Sequence, residues 1–549
     1  MSFKEASILI MSSKIFIFDT TLRDGTQGEG ISLSADDKLK IAQKLDSLGV
    51  NYIEGGNPGS NGKDIEFFQR VKSLKLNAKL TAFGSTRRKN SIAEHDASLL
   101  RIIESGVPAA TLVGKAWDFH VHIALQTTLE ENLAMIQDSF AFLKRHSMEA
   151  MYDAEHFFDG YKNNPEYAIA ALKSAQAGGA DWLVLCDTNG GTLPNEIAEI
   201  VARVKTELNV PIGIHTHNDC ELAVANTLAA VGAGATQVQG TINGYGERCG
   251  NANLCSIIPN LQLKMNYDCL PDNKISTLTN TARYISEIAN VHMPVGQAYV
   301  GNAAFAHKGG IHVSAIMKDS KTYEHIQPEL VGNKQRVLVS ELAGQSNIIA
   351  KASALGLNIN ANNEKTKEIM DHIKELEHEG YQFEAADASL ELLLRKAFGD
   401  WEPAFQVDSF KIHTENKNDV IISEAIVKIT VDGKQIYTVA EGNGPVNALD
   451  TALRKALVQH YPDIEHVHLT DYKVRVIDEK DATAAKVRVL IESTGKLNSW
   501  NTVGLSGNVI DASWAAIVDS FHYALISLEK AHINSLPNAT LEHAGLANL

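Results

Sequence analysis

The 549-residue sequence has few cysteines: five in all, with no CxxC pair. Disulfide frameworks and cysteine-based zinc sites need more, or more closely spaced, cysteines, so both are excluded and a reducing compartment is expected, the cytosol by default. No uninterrupted apolar run approaches the roughly 18 residues that span a bilayer. The N-terminal MSFKEASILIMSSK also lacks the longer apolar stretch of a secretory signal.

Positive charge is also scarce, with 50 Lys and Arg against 66 Asp and Glu, a formal net charge of −16. This balance argues against a general affinity for nucleic acid or anionic membranes. A composition that is 44% hydrophobic and 21% charged is typical of a globular protein with a large core. At roughly 150 residues per domain, the length predicts three or four domains.

The first half of the chain repeats a short apolar run, a polar turn and a helical stretch. The runs are KIFIFD (14–19), NYIE (51–54), KLTAF (79–83), AATLV (109–113), EAMYDA (149–154), DWLVLC (181–186), PIGIH (211–215) and TQVQG (236–240). Eight such units in about 250 residues predict a (β/α)₈ barrel. The alternative, an open doubly wound sheet, would place a GxGxxG turn after the first strand, and DTTLRDGTQ does not supply one.

The pattern divides the chain into four parts. They are an N-terminal extension (1–13), the catalytic barrel (14–265), a mostly helical linker that completes the active site (266–405) and a C-terminal α+β domain (406–549). In the last part, GNGPVNALDTAL resembles GNVIDASWAAI at an offset of 64 residues, and each copy follows three strands and opens a helix. A duplicated βββα unit is the economical interpretation, serving as a dimer contact, a ligand site or both.

Polar side chains recur where the predicted barrel strands end, which is where such barrels carry their reactive groups. His215 and His217 are two residues apart on one strand, so both imidazoles lie on the same face. Asp24 follows the first strand and is the natural third ligand of an N,N,O metal site. The alternative for these histidines is a hydrogen-bonded strand end.

Neighbouring residues have two interpretations each. Arg23 stabilises an oxyanion near the metal or forms a salt bridge with Glu155 or Glu54, and the two interpretations are compatible. Thr188 either binds a substrate carboxylate or caps the following helix, and Glu155 is either an acid–base group or a partner of one. Outside the barrel, HKGGIH (307–312) has the histidines and glycines of a flexible turn that carries a titratable group.

Taken together, these motifs resemble one family, the 2-isopropylmalate, homocitrate and citramalate synthases, over nearly the whole chain. The matching motifs are FDTTLRDGTQ (18–27), LCDTNGGTLP (185–194), HTHND (215–219), GYGERCGNANL (244–254), AFAHKGGIH (304–312) and TYEHIQPELVGN (322–333). The resemblance implies condensation of acetyl-CoA with a 2-oxo acid by an acyltransferase that depends on a divalent metal, zinc, manganese or magnesium.

The resemblance also implies roles for individual residues. The metal ligands would be Asp24, His215, His217 and Asn251. The catalytic residues would be Arg23, Glu155, His312 and Tyr323. The substrate contacts would be Arg23, Thr188 and Asp153.

Within the family, EGGNPGSN (54–61) and AFGSTRRK (82–89) resemble the (R)-citramalate branch, which implies pyruvate as the acceptor and a place in isoleucine biosynthesis. The alternatives are the 2-isopropylmalate branch, which uses 2-oxoisovalerate, and a metal-dependent C–C lyase on the same barrel. The resemblance further implies a homodimer or higher oligomer with sites completed in trans by the His312 region, and isoleucine as an effector of the C-terminal repeats.

Overall fold

The computed structural model describes residues 13–271, 273–338, 345–355, 364–399, 401–417, 420–477, 485–496 and 498–535. These fall into two compact units. The first contains the described part of Met1–Phe305 together with Ile326–Gln335, and the second contains Ala306–His325 and the described residues from Arg336 onwards.

The first unit is a closed barrel of eight parallel strands in sequence order, in which β1 pairs with both β2 and β8. The strands are β1 (Phe16–Asp19), β2 (Tyr52–Gly56), β3 (Lys79–Ser85), β4 (Ala109–Lys115), β5 (Glu149–Glu155), β6 (Trp182–Asp187), β7 (Ile212–Thr216) and β8 (Gln237–Gly240). The predicted (β/α)₈ barrel is confirmed, and each apolar run falls on a strand.

Helices surround the barrel, and several of them begin at a side chain that caps the first turn. They are α1 (Ala35–Leu48), α2 (Gly62–Val71), α3 (Ala97–Ser105), α4 (Asp118–His120), α5 (Leu129–Arg145), α6 (Phe157–Asn163), α7 (Pro165–Ala177), α8 (Pro194–Lys205), α9 (Ala223–Ala233), α10 (Leu254–Pro259) and α11 (Leu278–Ala289). In α1, Ser34 and Asp37 form a capping box, and Gly49 ends the helix at φ 94°.

The interior of the barrel changes from apolar to polar along its axis, because residues two apart on a strand share a face. A buried apolar layer closes the lower part, and its members are Phe18, Tyr52, Ala109, Met151 and Trp182. Two positions further along, Tyr52 is followed by Glu54 and Met151 by Asp153. This alternation places charged side chains at the carboxyl end of the barrel, which we call the rim.

The second unit begins with short elements and helices. They are β9 (Ala306–His307), α12 (Gly310–Ile316), β10 (Arg336–Val337), α13 (Gln345–Ala354), α14 (Glu364–Glu379) and α15 (Asp387–Phe398). The parallel pair β9–β10 interrupts the segment predicted as mostly helical. The domain boundaries expected at 265 and 405 stay predictions.

The rest of the second unit consists of two βββα repeats. The first contains β11 (Gln406–Lys417), β12 (Val420–Val431), β13 (Lys434–Gly442) and α16 (Pro445–Leu457), and the second β14 (His468–Val476), β15 (Val487–Thr494), β16 (Ser499–Ser506) and α17 (Val509–Ser535). Each sheet is antiparallel. The Thr438 hydroxyl donates to the Ala452 carbonyl at 2.9 Å, and 64 residues later the Thr502 hydroxyl donates to the Ala516 carbonyl at 2.7 Å. The same hydrogen bond in both copies confirms the duplication.

Helix α17 is the main buried helix of this unit. By length and composition alone, its stretch Val509–Glu529 is apolar enough to cross a membrane, and 61% of that stretch is buried inside the structure. The sequence expectation counted only uninterrupted apolar runs and did not single it out. Burial against the sheets gives the apolar composition a structural explanation.

Candidate metal centre and active site

The strongest cluster of functional side chains lies at the rim. The Nε2 atoms of His215 and His217 are 3.3 Å apart, and Asp24 Oδ2 lies 3.2 Å from the first and 4.0 Å from the second. All three side chains are buried. Ligands bound about 2.1 Å from one ion lie about 3.0–3.4 Å from each other, so two of the three separations match a shared divalent cation and the one between Asp24 and His217 is wider. The triad is the one that the HxH spacing predicts.

The charges in the triad also suit a metal. Burial, together with His215, lowers the pKa of His217 to about 4, so this imidazole is neutral at pH 7, the form that ligates metals. Burial alone would raise the pKa of Asp24, but Arg23 and the hydrogen bond with His215 outweigh it and hold the pKa well below its usual range. The site therefore offers the carboxylate of Asp24 and the neutral imidazole of His217.

A second layer of residues orients the ligands. His215 Nδ1 lies 2.9 Å from Gln239 Oε1, so the ring donates there and directs Nε2 toward Asp24 and His217. The Gln239 amide in turn donates to Asp153 at 3.1 Å. Gln239 is not among the residues predicted from the sequence. It lies at the end of β8 and pairs with His215 in the β7–β8 register, so its position at a strand end is the feature that could have identified it.

Asn251 approaches the same region after a glycine-containing turn. Its backbone bridges to His217, and its side-chain Oδ1 is buried without a hydrogen-bond partner among the described residues. A Cβ added at Gly246 would collide with the Asn251 amide, so glycine is needed there for the approach. An unpartnered buried carbonyl oxygen is costly unless a ligand satisfies it, which fits Asn251 as a further metal ligand.

Arg23 lies beside the triad. Its Nε donates to Glu54 at 2.6 Å, Nη1 lies 3.5 Å from Asp24, and the guanidinium stands 3.9 Å over the ring of Phe83. Of the two sequence alternatives, the salt bridge is present and its partner is Glu54. Burial raises the pKa of Glu54 to about 7 against the opposing effect of Arg23, and burial also raises the pKa of Asp153. The guanidinium is thus fixed beside three buried carboxyl groups.

Glu155 and Thr188, two further residues of the predicted site, form contacts that the sequence did not predict. Glu155 at the end of β5 pairs with Lys115 on β4. Thr188 accepts a hydrogen bond from the backbone N–H of His156 at 2.8 Å, and the residue preceding α8 is Leu193, so Thr188 does not cap that helix. The capping alternative is wrong, because five residues separate Thr188 from the helix start.

His312 and Tyr323 belong to the second unit. His312 lies in the first turn of α12 rather than in a flexible turn, because the helix begins at Gly310. The two rings stack with centroids 4.1 Å apart. Next to them, His307 Nε2 lies 3.1 Å from Glu324 Oε1. The stacking of His312 on Tyr323 supports a joint role for these two residues. That they reach the rim stays a prediction.

A parallel barrel with two histidines, an aspartate and an arginine at the carboxyl ends of its strands defines a class of metal-dependent barrel enzymes. Family models agree with this architecture. Residues 14–285 match HMGL-like, 299–381 match the homocitrate synthase post-HMGL domain-like family, and 384–525 match the LeuA allosteric (dimerisation) domain.

Curated relatives cover nearly the whole chain. An (R)-citramalate synthase of Aquifex aeolicus is 54% identical over 95% of this chain and 100% of its own length. One of Geobacter sulfurreducens is 54% identical over 94% of this chain and 99% of its own length. A 2-isopropylmalate synthase of Methanocaldococcus jannaschii is 32% identical over 95% and 97%. The chain therefore belongs to the family of these condensing synthases.

Proposed function

We propose that the protein is an (R)-citramalate synthase, which condenses acetyl-CoA with pyruvate and releases citramalate and CoA. The observation that carries the proposal is the buried triad of Asp24, His215 and His217 beside Arg23. The relatives named above support the branch, since the two at 54% identity are (R)-citramalate synthases and the 2-isopropylmalate synthase is at 32%.

A divalent cation held by the triad and Asn251 would polarise the keto carbonyl of the 2-oxo acid as a Lewis acid. We propose zinc, manganese or magnesium, since mixed nitrogen and oxygen ligands accept each of them. The roles of the four ligands rest on their spacing and burial and on the unpartnered oxygen of Asn251.

Arg23 would stabilise the negative charge that develops on the former keto oxygen. Its guanidinium is permanently charged, and Glu54 and Phe83 fix its position before substrate arrives, so little reorganisation is needed during the reaction. We propose that Arg23 also contacts the oxo acid, together with Thr188 and Asp153. The Thr188 hydroxyl accepts from the backbone and keeps its own hydrogen to donate.

The reaction also needs a base that removes a methyl proton from acetyl-CoA. We propose Glu155 or His312 for this step, with Tyr323 next to His312. Glu155 is paired with Lys115, so as a base it would first have to leave that ion pair. His312 is stacked on Tyr323 in the second unit, and we propose that it reaches the rim of a partner subunit in a homodimer.

The acceptor test compares pyruvate, 2-oxobutyrate and 2-oxoisovalerate at saturating acetyl-CoA. Two extra methyl groups next to the ketone need a larger pocket, and a close-packed wall does not yield freely. We expect the highest kcat/KM for pyruvate, a lower value for 2-oxobutyrate and a poor one for 2-oxoisovalerate. A higher value for 2-oxoisovalerate would assign the protein to the 2-isopropylmalate branch.

Completion of the active site by His312 of a partner subunit has a separate test. Neither Arg23→Ala nor His312→Ala subunits should be active alone, but their mixed dimers contain one site with both residues intact. We expect partial recovery of CoA release on mixing. Verified heterodimers without recovery would contradict completion in trans.

For regulation, we propose isoleucine as an inhibitor that binds the βββα repeats, which match an allosteric domain model. An effector shifts activity only through its different affinities for two conformations. Isoleucine, leucine and valine should therefore be compared in the pyruvate assay with the full-length protein, and insensitivity to all three would contradict the regulatory role. The five cysteines are free thiols, in keeping with the expected cytosolic location, which stays a prediction.

A further inference from the structure

A histidine that the proposed reaction leaves unused stands at the rim directly after Glu155. The backbone of His156 is left-handed, with φ 53° and ψ 36°. A left-handed conformation is strained for a residue other than glycine and persists only where the surroundings impose it. Here the N–H of His156 donates to Thr188 Oγ1 at 2.8 Å, which fixes the end of β5 to the loop after β6.

The imidazole of His156 is held by a carboxylate. Its Nδ1 lies 2.9 Å from Asp159 Oδ2, which also accepts a hydrogen bond from Asn189 at 3.0 Å. Burial would raise the pKa of Asp159, but the hydrogen bonds from His156 and Asn189 outweigh it and lower the pKa. An ionised Asp159 favours the proton on Nδ1 and leaves the lone pair of Nε2 available.

Two rings lie next to the imidazole of His156. The ring of His120 lies edge-on to His156 with centroids 4.4 Å apart, and that of Trp117 lies at 5.9 Å. Burial, aided by His156, lowers the pKa of His120, so this neighbour is neutral at pH 7. The side chain of His156 keeps 17% exposure, so solvent reaches the pair.

We propose that the His156–Asp159 pair activates the water that hydrolyses the citramalyl thioester, a role that rests on the proposed function. His156 Nε2 accepts a proton from water while the water oxygen bonds to the thioester carbonyl carbon. The C–S bond then breaks, and the same proton passes from Nε2 to the leaving sulfur, giving citramalate and the free thiol of CoA. An imidazole oriented by a carboxylate is the usual arrangement for activating an oxygen nucleophile in acyl transfer.

The step can be tested without the condensation by supplying citramalyl-CoA to the full-length protein. The variants are His156→Asn, since asparagine tolerates the left-handed backbone, and Asp159→Asn, which keeps the size but removes the charge. The matched control is His146→Asn, because His146 follows α5 and precedes β5 at the opposite end of the barrel.

We expect His156→Asn to slow hydrolysis by about 10²–10⁴-fold, Asp159→Asn to slow it less, and the control to match wild type. With acetyl-CoA and pyruvate, both rim variants should accumulate citramalyl-CoA, an intermediate that a merely misfolded protein does not form. Hydrolysis at the wild-type rate in both variants would overturn the proposal, as would equal loss of condensation and hydrolysis without accumulation. If wild type itself fails to condense pyruvate with acetyl-CoA, the proposed function fails, whichever way the variants behave with supplied citramalyl-CoA.

Discussion

At the barrel rim, Asp24, Glu54, Asp153, His215 and His217 are between 0% and 6% exposed, whereas the buried layer of the βββα repeats is made of aliphatic and aromatic side chains. Burying charge is expensive unless each group is paired or binds a cation. The rim thus concentrates buried charge, whose cost in stability a role in chemistry explains, while the core of the repeats is largely apolar. Substitutions in the two regions should consequently have different signatures.

The largest effect is expected at the metal ligands. His217→Ala removes one of the three clustered ligand atoms, so bound metal should fall, and turnover should drop by about 10³-fold or more, since a Lewis acid contributes several kcal/mol. The measurements are elemental analysis and CoA release, with circular dichroism to show that the fold is kept. The exposed His95→Ala is the control, and unchanged metal with wild-type activity in His217→Ala would contradict the site.

Arg23→Ala should affect both activity and stability. It leaves the fully buried Glu54 without its cation, and breaking a buried pair typically costs about 3–5 kcal/mol. Arg70→Ala is the matched comparison, because Arg70 pairs with Asp36 and Glu66 on the surface, where water screens the ion pairs and their loss should cost far less. Denaturant unfolding measures both. Equal losses of unfolding free energy in the two variants would show that the buried ion pair at the rim contributes no more to stability than the exposed pairs of Arg70.

Helix α17 carries two buried titratable groups that should oppose each other. Burial raises the pKa of Asp519 to about 6, so ionisation costs stability as the pH rises from about 4 to 6. Burial lowers the pKa of His522 to about 4, so the unfolded chain binds more protons between pH 4 and 6.5 and stability rises with pH there. Lys396 acts electrostatically on both, and Ser389 donates to Asp519 at 2.6 Å.

Each titration changes the free energy of unfolding by about 3 kcal/mol across its pH range. Because the two changes have opposite signs, they nearly cancel in wild type. Asp519→Asn should make the unfolding temperature of the second unit rise from pH 4 to 6.5. His522→Phe, which preserves the stacking on Phe405, should make it fall over the same range. Parallel pH profiles for both variants and wild type would show that these groups are not buried as described.

The smallest effect compares the two repeats with each other. Thr438→Val and Thr502→Val each remove a buried hydroxyl hydrogen bond at the same position of the duplicated unit. Each should cost about 0.5–1.5 kcal/mol of unfolding free energy, measured by denaturant titration. A clear loss in one copy with no change in the other would mean that the repeats have diverged in packing.

Much of this organisation is predictable from sequence where one rule fixes the outcome. The strand period places His215 and His217 on one face, and barrel closure brings Asp24 to them. The 64-residue repeat is likewise readable from the chain itself. The ion pairs at the rim cannot be predicted from the sequence. Arg23 pairs with Glu54 and Glu155 pairs with Lys115 because of the stagger of neighbouring strands. The left-handed backbone of His156 depends on Thr188, which is 32 residues away.

The central claim is that the buried triad holds a divalent metal required for condensation of acetyl-CoA with pyruvate. The most direct measurement is pyruvate-dependent CoA release by protein stripped with a chelator, before and after addition of magnesium, manganese or zinc. We expect that stripping abolishes release and that at least one of these cations restores it in wild type but not in His217→Ala. Full activity in protein shown by elemental analysis to be free of metal would contradict it.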